Sequence, residues 1–115
     1  MSTPQSILSN TFGFPQFRPG QEEIIEALLA GENCLAVMPT GAGKSLCYQV
    51  PAMLFERVTI VVSPLVALMD DQVAGLRGNG VPVAAIHSGQ SREGNVADWR
   101  RVASGEAKLL YLSPE

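Results

Sequence analysis

The chain has 115 residues, 46% of them hydrophobic and 17% charged, with a formal net charge of −3. That length holds one domain at most, and the composition excludes a disordered chain. The acidic balance argues against holding nucleic acid by bulk positive charge, so any such contact must use local groups. The two cysteines, Cys34 and Cys47, lie in apolar context with neither zinc spacing nor a disulfide framework, which suits a reducing, intracellular compartment. The N-terminus lacks the basic-then-apolar form of a signal peptide, and no apolar run approaches the roughly 20 residues that span a bilayer.

Along the chain, residues 4–10 suit a short helix, and residues 12–20, rich in Pro, Gly and aromatics, read as a structured loop. Pro19-Gly20-Gln21-Glu22-Glu23 opens a helix with carboxylates at its positive end. Ile24, Ile25, Leu28 and Leu29 give that helix an apolar face, and Gly31 stops it. The apolar run 34–37 is read as a first strand, and Ser45 to Gln49 as a helix that Pro51 kinks or ends.

Val58 to Val62 is β-branched and predicts a buried strand. Leu65, Leu68, Met69, Gln72, Val73 and Leu76 suit an amphipathic helix ending near Gly78-Asn79-Gly80, with Gln72 on its solvated side. Val81 to Ile86 is a third strand. Residues 91–104 are weakly helical, with Val96, Trp99 and Val102 as the expected core face, and residues 109–112 form a fourth strand. His87, the single histidine, has no evident partner and reads as structural. Alternating helices and strands predict an α/β fold with a parallel sheet.

The run Met38-Pro39-Thr40-Gly41-Ala42-Gly43-Lys44-Ser45 joins the expected first strand to the helix after it. That context suits a phosphate-binding loop. Gly41 and Gly43 let the backbone take positive φ and approach an anion closely. Lys44 is expected on the β- and γ-phosphates of a nucleoside triphosphate and Ser45 on Mg²⁺. The general pattern G-x-x-x-x-G-K-[ST] has Gly where this chain has Met38.

Phe12-Gly13-Phe14-Pro15-Gln16-Phe17-Arg18-Pro19-Gly20-Gln21-Glu22 resembles the aromatic-rich segment ahead of the phosphate loop in RecQ-family DNA helicases. Residues 38–49 resemble that family's motif I. Val61-Val62-Ser63-Pro64-Leu65, with Leu68 to Val73, is similar to motif Ia, and Leu110 to Glu115 to motif Ib. The likeness runs from about residue 8 to 115, with Ala42 and Phe14 standing where the family often has Gly and Tyr. It implies a RecA-like P-loop NTPase domain, with residues 1–31 as its helical, adenine-side segment. It implies ATP and Mg²⁺ as cofactors, 3′-to-5′ DNA unwinding, and an intracellular place with chromosomal DNA.

By that resemblance Phe14 and Arg18 flank adenine and Gln21 pairs with its edge; Ser63, Pro64 and Ser113 touch the DNA backbone. From the residues alone, Gln21 also reads as a solvated helix start and Phe14 and Phe17 as core packing, while Ser63 and Ser113 read equally as Ser-Pro turns leaving strands. The only paired carboxylates after Ser45, Asp70-Asp71, fall in a helical pattern, so the acidic strand-end motif of such ATPases is expected to be missing. The chain then reads as a truncated part of the domain, with its fourth strand at an edge and self-association as a consequence. Two alternatives stand beside this: a non-catalytic nucleotide-binding or interaction module, and another P-loop superfamily 2 translocase.

Overall fold

The computed structural model describes residues 2–37 and 43–113. They gather into two compact units, one up to Phe55 and one from Glu56, each taken by itself below.

The first unit holds helices α1 (Pro4–Asn10), α2 (Gln21–Leu29) and α3 (Leu46–Ala52). Thr3 caps α1: its hydroxyl accepts the Ser6 N–H at 3.1 Å, and the Ser6 hydroxyl accepts the Thr3 N–H at 2.8 Å. Pro4 costs nothing at the first helical position, where an N–H would have no partner in the helix. Ile7, Leu8, Ile25 and Val50 form the core, with Phe12, Phe17 and Leu46 packed against it. Pro51 lies inside α3, which ends one residue later at Ala52.

The expected strand at 34–37 is not formed. Residues 32–37 carry no regular structure, and Leu35 and Val37 are 93% and 90% exposed. An apolar run becomes a strand only beside a ladder partner, and no described strand pairs with this one.

The second unit alternates β1 (Thr59–Val62), α4 (Val66–Gly78), β2 (Val83–Ile86), α5 (Arg92–Ala103) and β3 (Leu109–Leu112). Its sheet is wholly parallel, in the order β1-β3-β2. The α/β class and parallel sheet expected from the sequence are therefore present. The fourth expected strand is not an edge, however. As β3 it inserts between the other two, because each parallel connection crosses over through a helix and can place its strand anywhere in the sheet.

Side chains alternate between the two faces. On one face, Tyr111 is buried and its hydroxyl donates to Gln72 Oε1 of α4 at 2.9 Å, so Gln72 is bonded to the sheet rather than solvated. On the other, Ala84 and Leu110 pack with Ala107 and with Val102 of α5.

The expected core face of α5 is only partly right. Val102 packs inward, but Val96 is 40% and Trp99 55% exposed. The buried residue is Asp98. Its Oδ2 accepts the Ala85 N–H at 2.9 Å, and its carboxylate faces Arg77 at 3.5 Å and Arg101 at 3.6 Å. Because β2 ends the sheet, the Ala85 amide points away from β3 and needs an acceptor from elsewhere.

The rest of that outer edge is treated the same way. The Gln90 carboxamide donates to the Ala85 carbonyl at 2.9 Å, and Arg77 donates to the Val83 carbonyl at 3.4 Å. Asn95 accepts the His87 N–H at 3.2 Å and donates to the His87 carbonyl at 3.1 Å. Side chains thus close the β2 edge to a further strand.

Replacing Asp98 by Ala leaves a buried N–H without its acceptor, which costs about 1–3 kcal/mol. Urea denaturation should show that loss for Asp98→Ala and a smaller one for Asp98→Asn, whose amide oxygen still accepts. An Asp98→Ala chain as stable as the parent would contradict this role.

Candidate nucleotide site and strand-end row

Gly43, the last glycine of the expected phosphate loop, has φ +77°, a backbone state that disfavours any side chain. Its carbonyl accepts the Leu46 N–H at 3.2 Å and the Gln21 carboxamide at 3.0 Å. A Cβ at this position would run into Gln21 Nε2. Gln21 is 1% exposed, and its Oε1 accepts the Arg18 N–H at 2.7 Å. The solvated reading of Gln21 is therefore wrong. Its carboxamide is a buried tie from the head of α2 to the end of the loop.

Lys44 is exposed beside this tie and Ser45 is half-buried at the start of α3. The Lys44 and Ser45 carbonyls accept the Cys47 and Gln49 N–H groups, which sets the first turn. Met38, Pro39, Thr40, Gly41 and Ala42 lie outside the described residues. The donor set that is described fits a nucleotide with its cation: a positive-φ glycine with no room for a side chain, an exposed ammonium, and a hydroxyl, the hard oxygen that Mg²⁺ takes.

Phe14 is 46% exposed, its N–H bonded to the Leu8 carbonyl at 3.1 Å. Arg18 is exposed along an open groove of about 550 Å³ with Gln16, Phe17 and Glu22, and Phe14 is not among that groove's walls. A second cavity of about 280 Å³ lies between Ile24, Leu28 and Tyr48, with Lys44 and Cys47 at its wall. Burial raises the Cys47 thiol above its ordinary pKa and nearby Cys34 adds to the shift, against a lowering backbone hydrogen bond.

In the second unit, Val62, Leu112 and Ile86 stand in register across the sheet. The residues that follow them are Ser63, Ser113 and His87. The Ser63 N–H bonds the Leu112 carbonyl at 3.0 Å and the Ser113 N–H the Ile86 carbonyl at 3.3 Å. The three therefore form a row at the carboxyl ends of the strands, where open α/β sheets receive ligands. Ser63 Oγ accepts the Leu65 N–H at 3.2 Å and so shapes the turn at exposed Pro64.

His87 does have a partner. Its Nε2 lies 3.2 Å from Asp70 Oδ1 of α4, and its Nδ1 accepts the Gly89 N–H at 3.1 Å. The two residues are 17 positions apart on different elements, so no local spacing announces the pair. Asp70 and Asp71 lie on α4, as the helical pattern implied.

Residues 18–115 match the DEAD/DEAH box helicase family. The chain is 49% identical over 113 residues to the ATP-dependent DNA helicase RecQ of Haemophilus influenzae, a span of 98% of this chain and 18% of that protein. It is 49% identical over 111 residues to the RecQ of Synechocystis, covering 96% of this chain and 23% of that one. The human ATP-dependent DNA helicase Q4 is 47% identical over 107 residues, covering 90% of this chain and 9% of its own length. The chain thus spans less than a quarter of the length of these relatives. The chain belongs to the DEAD/DEAH box helicase family, where it is similar to RecQ helicases.

Proposed function

We propose that this chain is the nucleotide-binding portion of an ATP-dependent DNA helicase that couples ATP hydrolysis to 3′-to-5′ unwinding. The observation that carries the reading is the Gly43 carbonyl held by Gln21 beside exposed Lys44. In this reading Lys44 places its ammonium on the β- and γ-phosphates and Ser45 offers its hydroxyl to Mg²⁺, with Met38 to Gly43 as the backbone cradle. Bound Mg²⁺ would neutralise phosphate charge. Phe14 and Arg18 hold the adenine, and Gln21 links the adenine end of the site to the phosphate end. Ser63, Pro64 and Ser113 meet the DNA backbone at the strand-end row.

No described strand ends in a carboxylate: β1, β2 and β3 run into Ser63, His87 and Ser113. That favours a second reading for the chain taken alone, a module that binds ATP–Mg²⁺ without hydrolysing it. No described helix is long and apolar enough to cross a membrane, and the reading puts the protein inside the cell with chromosomal DNA. Among the described residues no strand pairs the outer side of β1, where Ile60 and Val62 are 56% and 68% exposed, and the isolated chain should self-associate there. Sedimentation should show mass rising with concentration; a strictly monomeric chain would contradict it.

Titration with ATP and Mg²⁺ should give weak binding that Lys44→Ala reduces about tenfold or more, with negligible turnover in either chain. Equal binding by Lys44→Ala would refute the assignment of Lys44, and clear turnover that this substitution abolishes would refute the non-hydrolysing reading. Gly43→Ala should lower stability by about 1–3 kcal/mol through its backbone state. Because the Cβ displaces Gln21, Gln21→Ala should recover part of that loss in the double variant; strict additivity would mean the two residues do not act on each other.

A further inference from the structure

The exposed face of α5 carries chemistry that the nucleotide site does not use. At helical spacing Arg92, Val96, Trp99 and Arg100 share one side of the helix, and all four are exposed. An indole 55% exposed is an unusual outlay of apolar surface in a chain that buries its other aromatics more fully.

This orientation is imposed. Turning α5 to bury Trp99 would withdraw Asp98 from the Ala85 N–H and from Arg77, breaking the bonds that close the β2 edge. The helix is locked with its tryptophan outward.

The charge around Trp99 selects the partner. The chain is acidic overall, yet α5 carries three of its eight Lys and Arg residues. Arg101 is spent on Asp98 and Glu106. Arg92 and Arg100 remain on the outer side, about 12 Å apart along the axis, with Glu93 the one exposed carboxylate on the helix. A flat aromatic surface between two guanidinium groups suits a polyanion that also offers stackable rings. The helix also begins at the carboxyl edge of the sheet, five residues after His87 of the strand-end row, so a strand lying on that row can continue onto it.

We propose that the outer face of α5 is an accessory binding surface for single-stranded DNA, with a base stacked on Trp99 and phosphates on Arg92 and Arg100. This rests on the DNA-directed reading above but adds a contact outside the strand-end row.

Trp99 is the only tryptophan in the chain, so its fluorescence reports this surface alone. Titrating the chain with a short oligothymidylate carrying a dye should give parallel quenching of Trp99 and a rise in dye anisotropy. Trp99→Ala should weaken binding about fivefold or more, and Trp99→Phe should restore most of it. Arg92→Gln and Arg100→Gln should each lower the slope of log affinity against log salt by about 0.7. Anisotropy that saturates while Trp99 stays unquenched overturns this proposal and leaves the strand-end contacts standing. No binding at all overturns both. Quenching that follows protein concentration rather than DNA identifies the face as a contact between copies of the chain and also overturns it.

Discussion

The carboxylate of Asp98 on the Ala85 amide is the contact on which the second unit turns. A strand at the end of a sheet presents unpaired N–H and C=O groups, which must be satisfied or left as a template for another chain. Here Asp98, Gln90, Asn95 and Arg77 supply the missing partners from α5, its approach and α4. The geometry that follows is specific. The sheet ends at β2, α5 is fixed in rotation, and the turn after β2 is bonded at both ends of the His87 peptide. Among the described residues, the side of the sheet left for growth is that of β1.

The first unit depends on a smaller arrangement with the same logic. Gly43 must adopt positive φ for the loop to turn into α3, and a carbonyl turned that way needs donors. Leu46 gives one from the helix and Gln21 the other from α2. The buried carboxamide keeps the loop's end from drifting and leaves Lys44 and Ser45 at a defined helix start.

Local chemistry was readable in advance, and partnership was not. Pro19-Gly20 with Glu22 and Glu23 marked the start of α2, and Val58 to Val62 marked the place of β1, because caps and β-branched runs act over a few residues; the burial expected of that strand is not found, since Ile60 and Val62 are exposed on it. At the glycine loop, the positive φ of Gly43 was legible for the same reason. The run 34–37 has the composition of a strand but lacks a described partner. The placing of β3 between β1 and β2 depends on crossovers that leave no local trace. Trp99 was expected inside because apolar residues usually are. The need of an edge amide for an acceptor put Asp98 there instead, and that need exists only once the strand order is known. Gln21 and His87 follow the same rule, since Gly43 and Asp70 lie far from them in sequence.

The claim that side chains close one edge of the sheet and leave the other open can be tested amide by amide. Hydrogen exchange followed by NMR, at a dilution that keeps the chain monomeric, compares the outward N–H groups of Ala85 on β2 and His87 just after it with those of Ile60 and Val62 on β1. The account predicts slow exchange at Ala85 and His87, close to that of the sheet's interior, and fast exchange at Ile60 and Val62. Ala85 exchanging as fast as Ile60 would contradict it.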